Sequence, residues 1–499
     1  MKFNLKQYSA GILMLILTAS ASSCKKYLDE ERRDNFNTNN YFTTASQAQT
    51  FVNGIYSNLY MFQNGDAYGE SPFITLELFA GHTTTLGQSV NNKQVITQTT
   101  SPTNPGFQTV WSNSYAAIAN ANIALKRIPD IAMADADKKK LLGEIYFLRA
   151  FFYFHLVRLY GDVPLITEPV TITSETLYPE RSPMASVYDL IIADLKAAKE
   201  SGLPETDQSG RASLGAVRTL LGSVYLTTAG YPLQKKENYA LAAAEVLPVL
   251  TKYTLFPDYA FLHDNAHKNQ GELIFQINYL VGVKENAIPQ LTLPFNLQVG
   301  AYGDHLGAMI PTTQFIASYP AGDKRAKERQ FFFSSYPKDK DPSTIITFEK
   351  PALYKFFHAE SALGNGKSDE NWTLFRLPEA MLIYAEAQNE AEGAPNQTAR
   401  DQVNAIRARA ELAPIGNLSQ AAFREEVWRQ RYLELCYEDK SYFDIQRTHK
   451  IYVVPGGTFA DATSTPNEQG VTFKEQYYFW PIPQREINTN PKLKQNQGW

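Results

Sequence analysis

Leu142-Gly143-Glu144-Ile145-Tyr146 and Leu221-Gly222-Ser223-Val224-Tyr225 repeat one pattern, L-G-x-x-Y, inside two helical stretches of the chain. Glycine in a helix interior costs stability relative to alanine, so its presence needs a packing reason. The missing side chain lets a partner helix approach, and the tyrosine three residues on fills the gap that remains. The first copy lies in 137–160, which is apolar nearly all round (Leu141, Leu142, Ile145, Phe147, Leu148, Phe151, Phe152, Leu156, Val157), as a helix buried between neighbours should be. It stops at the turn Gly161-Asp162-Val163-Pro164. The second copy lies in 213–229, and 239–250 returns as its antiparallel partner after Gly230-Tyr231-Pro232.

Outward from this pair, helical patterning covers 44–59, 110–128 (ending before Pro129), 183–201, 375–392, 398–412 and 419–438. In 183–201, Val187, Leu190, Ile191, Leu195 and Ala198 share one face, and Ser182 stands ready as a cap before Pro183. Two stretches break the pattern. Residues 60–105 are rich in Gly, Thr and Asn with scattered aromatics, and read as long loops with short strands. Residues 269–372 are crowded with Pro, Gly and aromatics, and only Leu273, Phe275, Ile277 and Tyr279 alternate as a strand does. The expected fold is mainly α: a tetratricopeptide-like helical repeat scaffold forming one domain over 44–499. Loop-rich insertions near 60–105 and 280–372 would build a variable binding face.

The amino terminus carries an export signal. Lys2 and Lys6 precede an uncharged run from Ala10 to Ala21, and Ala21-Ser22-Ser23 leads into Cys24. About a dozen apolar residues are too few to span a bilayer, which takes roughly 20 in a helix. The order of charge, apolar run and small residues is that of a cleaved signal. A small residue before Cys resembles the lipobox of lipoproteins, although Ala21 stands where Leu is usual. Residues 1–23 are therefore expected to be removed, Cys24 to be lipidated, and 24–43 to act as a tether. Cleavage leaves 476 residues and turns the formal charge of −4 into −6 by removing two lysines. No basic patch dominates, which argues against nucleic acid as a partner. Cys436 is then the one cysteine besides Cys24, so the body has no intramolecular disulfide and stands on packing.

Catalytic constellations are missing. Gly366-Lys367-Ser368 ends like a phosphate loop, but the first glycine of that loop would fall at Ser361. There is no G-x-S-x-G elbow and no H-E-x-x-H helix. His263 and His267 flank Asp264 at a spacing that suits a metal on a helix, yet Asn265, Asn269 and Gly271 make the stretch a loop. Cys436, among Leu433, Leu435 and Tyr437, reads as a small core residue. Neither an enzyme nor a metal or cofactor site is expected.

Taken in order, the segments carry a family resemblance. Lys25-Lys26-Tyr27-Leu28-Asp29 follows the cysteine, then Gly143-Glu144 to Leu148-Arg149-Ala150, and Leu159-Tyr160-Gly161-Asp162-Val163-Pro164-Leu165. Tyr188-Asp189, Asp194-Leu195, Gly210-Arg211-Ala212, and Tyr384-Ala385-Glu386-Ala387 leading to Val403-Asn404-Ala405-Ile406-Arg407-Ala408-Arg409-Ala410 come next. The tail adds Pro481-Ile482-Pro483, Glu486-Ile487, Asn490-Pro491 and Gln495-Asn496-Gln497-Gly498. The chain resembles the SusD/RagB family of outer-membrane nutrient-binding lipoproteins over nearly its whole length. It departs from the family at Gln430-Arg431, where Glu-Arg is usual, and at Glu438-Asp439-Lys440-Ser441, where Glu-Gly-x-Arg is usual; Asp444 and Arg447 are retained. These positions look like scaffold ion pairs rather than ligand contacts.

The resemblance implies a lid over a SusC-type TonB-dependent transporter that captures a glycan, or in some members a peptide. Sugars present C–H faces that pack on flat rings, while amides, carboxylates and His orient their hydroxyls. Tyr and Phe are frequent, at 29 each, and the rings in loops are the better candidates. The first insertion offers Tyr68, Phe73 and His82; the second offers Tyr302, Asp304, His305 and Tyr336. Trp111 and Trp428 sit in helices and read as core, and Trp372 as a packing residue. A helical-repeat adaptor for a protein or peptide partner is the alternative from another class. The absence of Asp at position 25 favours the outer membrane over the inner, and Asp29-Glu30-Glu31 loosely resembles a surface-export signal.

Overall fold

Thr44 opens the first helix, α1 (Ala45–Tyr56), with a capping box: its hydroxyl accepts from the Gln47 N–H, and the Gln47 side chain accepts from the Thr44 N–H. The computed structural model describes residues 42–62, 71–87, 89–174, 177–294, 299, 306–338, 341–360, 366–454 and 456–499. The leader and Cys24 lie outside the described residues. Helix accounts for 51% of the described residues and strand for 12%, which makes the fold mainly α, as expected.

The scaffold continues through α2 (Pro72–Phe79), α3 (Val90–Ile96), α4 (Pro105–Arg127), α5 (Asp135–Tyr160), α6 (Met184–Lys199), α7 (Leu214–Ala229) and α8 (Asn238–Val246). It closes with α9 (Leu377–Glu392), α10 (Gln397–Arg409), α11 (Gln420–Glu434) and α12 (Ser441–Thr448). Successive helices pack in pairs, α4 on α5, α5 on α6, α7 on α8, and α9 against α8, α10 and α11. The two L-G-x-x-Y glycines sit at such contacts. A Cβ on Gly143 would overlap Ser201, just past α6, and a Cβ on Gly222 would overlap the Val246 side chain in α8. Tyr225 is buried beside its glycine, and Tyr146 packs at the core's edge.

Two helices correct the expectation of loops over 60–105. All eight residues of α2 are buried, so it has no polar face and therefore no readable period; Ser71 caps it, with Pro72 at its first position. The short α3 is capped by Ser89. The cap expected from Ser182 is also corrected. Asp162 Oδ1 accepts the Met184 N–H at 2.8 Å, while the Ser182 N–H donates to the Val163 carbonyl at 2.9 Å.

Among the described residues, four two-stranded antiparallel sheets complete the fold: β1 (Thr83–Thr84) with β3 (Ile310–Pro311), β2 (Leu273–Ile277) with β6 (Trp372–Arg376), β4 (Phe332–Lys338) with β5 (Asp341–Leu353), and β7 (Lys450–Val453) with β8 (Thr458–Asp461). Phe375, expected to begin a helix, belongs to β6. Trp372 is buried, as expected of a packing residue, while Trp428 is only partly buried.

A buried ion network locks the second half. Glu434 accepts from Arg376 Nη1 at 2.7 Å, Arg409 Nη2 at 2.6 Å and Arg325 Nη1 at 3.2 Å. Glu438 accepts from Arg376 Nε at 2.8 Å and pairs with Lys355. Arg431 and Arg447 both reach Asp444, at 3.0 and 2.7 Å, and Arg447 holds Glu386. Burial opposes ionisation of Glu438, but Arg376 and Lys355 outweigh it and hold the carboxyl down to about 2. The segment around Gln430–Ser441 is thus scaffold, as its charges suggested. Cys436 is fully buried, and burial pushes its thiol up to about 11, which makes it inert as a nucleophile.

Candidate functional site

The two insertions, some 200 residues apart in sequence, are stitched together. Thr83 pairs with Pro311 and Thr84 with Ile310. The N–H groups of Leu86 and Gly87 both donate to the Gly307 carbonyl, at 2.8 and 3.1 Å, and the Thr312 N–H donates to the His82 carbonyl at 3.1 Å. From the second insertion the β4–β5 hairpin rises over a small apolar cluster of its own, with Leu293, Phe333, Phe348 and Phe357 buried and Tyr336 and Tyr354 packed against them.

Beside this hairpin, an aromatic layer carries a polar cluster. Phe73 packs on Trp372 with ring centroids 4.2 Å apart, Trp372 stacks on Phe356 at 4.8 Å, and Phe356 meets His263 at 5.6 Å. His263 Nδ1 bonds Glu370; Asn265 Nδ2 donates to Asp369 Oδ1 at 2.8 Å, and Lys268 donates to the Asp369 carbonyl at 2.6 Å. His263 Nε2, Asn265 Oδ1 and His358 Nδ1 have no hydrogen-bond partner among the described residues. An unmet buried polar atom costs about 1–3 kcal/mol, so the cluster holds unspent hydrogen-bonding capacity against rings that are themselves buried.

The residues singled out from sequence fall into three groups. Tyr68, Tyr302, Asp304 and His305 lie outside the described residues. Phe73 and His82 are corrections: both are fully buried and offer no face to a ligand. Phe73 is a core ring under Trp372. His82 spends both nitrogens internally, Nδ1 with the Tyr432 hydroxyl at 2.9 Å and Nε2 with Glu77 at 3.1 Å. Tyr336 is the member left on the face. It is half-buried on the hairpin, 4.7 Å from the Phe357 ring and with the Arg329 guanidinium 5.4 Å from its centroid, and burial raises its hydroxyl pKa.

His263 and His267 diverge, the latter bonding Asp264 at 2.8 Å, and among the described residues no His, Cys, Asp and Glu group has a metal-holding arrangement. Asn265, His358, Asp369 and Glu370 went unseen in the sequence because three separated segments supply them.

Known proteins place this architecture in a class. Residues 272–499 match the sequence model of the SusD family, and 26–226 match one described as starch-binding associating with the outer membrane. A SusD superfamily protein of Parabacteroides distasonis is 37% identical, covering 91% of this chain and 99% of its own, with a TM-score of 0.88. SusD-like protein P2 of Formosa agariphila is 28% identical over 99% of both chains. Surface glycan-binding protein A of Bacteroides thetaiotaomicron, solved in complex with laminarihexaose, shares the fold at 20% identity and a TM-score of 0.74, covering 91% of this chain and 100% of its own. The class is that of carbohydrate-binding, non-catalytic proteins associated with the outer membrane. The chain belongs to the SusD/RagB family.

Proposed function

We propose that this protein captures an oligosaccharide on the face made by its joined insertions and delivers it to a SusC-type TonB-dependent transporter. The observation that carries this reading is the β1–β3 pairing, which joins the two aromatic-rich insertions. Family membership and the laminarihexaose complex of a protein with the same fold support glycan as the ligand class. Cleavage at Cys24 and lipidation of that cysteine would hold the mature chain, 24–499, on the outer membrane facing outward, with 24–43 as its tether. No helix among the described residues is long and apolar enough to cross a membrane.

Calorimetric titration of the purified protein with soluble starch and laminarin tests the reading. Binding without release of product is expected, and Tyr336→Ala should weaken it about tenfold while leaving the melting temperature within a few degrees. No heat with either glycan and with a wider panel of neutral oligosaccharides would overturn it. Co-purification of a TonB-dependent transporter from the native membrane tests the partner.

A further inference from the structure

A cavity of about 800 Å³ opens between the C-terminal end of α5, the start of α6, α12 and the last residues of the chain. None of its lining residues comes from 60–105 or 280–372, so it is separate from the face described above. Its volume falls within the range of small-molecule sites.

One wall is a stack of three rings. Tyr231 lies 3.8 Å from His449 with the planes 10° apart, and His449 lies 4.1 Å from Tyr478, again at 10°. Tyr231 ends the stack and is 42% exposed. Its backbone is fixed: its N–H donates to the Arg447 carbonyl at 2.9 Å, and Gly230 lies so close to Arg447 that a Cβ would overlap it. A ring held in this way loses little conformational freedom on binding. Burial lowers the pKa of His449, which leaves the middle of the stack uncharged at neutral pH.

Another wall holds a cation without a direct ion pair among the described residues. The Arg158 guanidinium sits between the rings of Phe154 and Phe443, 3.8 and 3.6 Å from their centroids. Nε donates to the Phe154 carbonyl at 3.2 Å and Nη2 meets His155 Nε2 at 3.3 Å; among the described residues no carboxylate forms an ion pair with it, and Glu379, Asp439 and Asp444 act on it only from a distance. Burial draws its pKa down to about 10. Arg181, on the same cavity, donates to the carbonyls of Asp162, Lys494 and Tyr160 and to the Asn496 side chain, so its charge is also unmatched by a carboxylate. Arg447 is matched by Glu386 and Asp444. The exposed Lys474 and Glu475 offset each other, and Asp162, which caps α6, is the one remaining carboxylate of the lining. The lining itself balances positive.

A flat exposed ring and an unpaired guanidinium on one cavity suit a ligand that has both an apolar C–H face and an anionic group. We propose that this cavity is a second saccharide site, specific for a sugar bearing a carboxylate: Tyr231 stacks on the sugar face and Arg158 pairs with the carboxylate. Charge-assisted hydrogen bonds of this kind are roughly twice as strong as neutral ones, and an aromatic-lined pocket strengthens them by excluding water. The site does not depend on the insertion face.

Titration of the full chain in detergent at low salt, with trigalacturonate and with neutral maltotriose, tests it. Trigalacturonate is expected to bind at least tenfold more tightly than maltotriose, and added salt should narrow the difference. Tyr231→Ala and Arg158→Met should each weaken trigalacturonate binding about tenfold, and Tyr336→Ala should leave it unchanged. Methionine keeps an unbranched stem between Phe154 and Phe443; if that variant fails to fold, Tyr231→Ala, at an exposed ring, carries the test alone. Equal affinity for the two trisaccharides would overturn the proposal. So would trigalacturonate binding indifferent to Tyr231→Ala, or affinity only for a sulfated disaccharide or an acidic peptide.

Discussion

Arg376, the last residue of β6, donates to Glu434, the last residue of α11, at 2.7 Å with both side chains buried. Through this pair the sheet that borders the candidate site is tied to the helical scaffold. Glu434 also takes Arg325 and Arg409, so it is the common acceptor of three guanidinium groups.

Removing that acceptor should be severe. Glu434→Gln leaves three buried cations short of charge, and breaking a buried pair from one side typically costs about 3–5 kcal/mol. Denaturant unfolding should show a midpoint lowered accordingly; a change under about 1 kcal/mol would show that water reaches the network.

Acid should weaken the fold through the same network. Glu438 ionises near 2 in the folded protein against 4.5 ordinarily, and Glu434 is held lower still, by Arg409, Arg376 and Arg325 working against burial. A depressed carboxyl contributes stability that is fully present above its unfolded value and is lost as pH falls through the folded one. The melting temperature should therefore fall between about pH 4.5 and 2. In Glu438→Gln the fall should be shallower, starting from a lower value at pH 7.

The close approach of α7 and α8 rests on Gly222. Gly222→Ala should destabilise by about 1–3 kcal/mol, because its Cβ strikes the stiff Val246 side chain. Adding Val246→Ala removes the struck methyl, so the double variant should be more stable than the sum of the two single effects predicts. Simple additivity in a double-mutant cycle would argue against a direct clash.

Phe73 and Tyr336 should separate stability from binding. Phe73→Ala empties a fully buried site against Trp372 and Phe356 and should cost about 3–5 kcal/mol. Tyr336→Ala, at a half-buried ring, should cost far less. Thermal melts of the two variants decide this; comparable losses would make Tyr336 part of the core.

Cys24→Ala tests the anchor. The variant should leave the membrane fraction on cell fractionation, whereas the unaltered chain stays with it; equal membrane retention would show that something other than a lipid on Cys24 holds the protein.

The helical class, the order of the scaffold helices and the two close-packed glycines were legible from sequence, because they depend on local periodicity and on what a missing Cβ permits. The expected export signal and lipidation motif likewise rest on linear patterns. The fully buried α2 was not legible, since a helix buried on every side shows no polar–apolar period to detect. The proposed binding face was legible only as two aromatic-rich stretches. Whether a ring there points into the core or outward, as with Phe73 against Tyr336, is set by neighbours remote in sequence. The same holds for the charges. Arg158 and Arg376 look alike in the chain, and only the tertiary structure gives Arg376 three carboxylates to hold and leaves Arg158 between two rings with none in ion-pair contact among the described residues. The sequence by itself determined which elements form; their packing decided which polar groups are spent on the fold and which remain for a ligand.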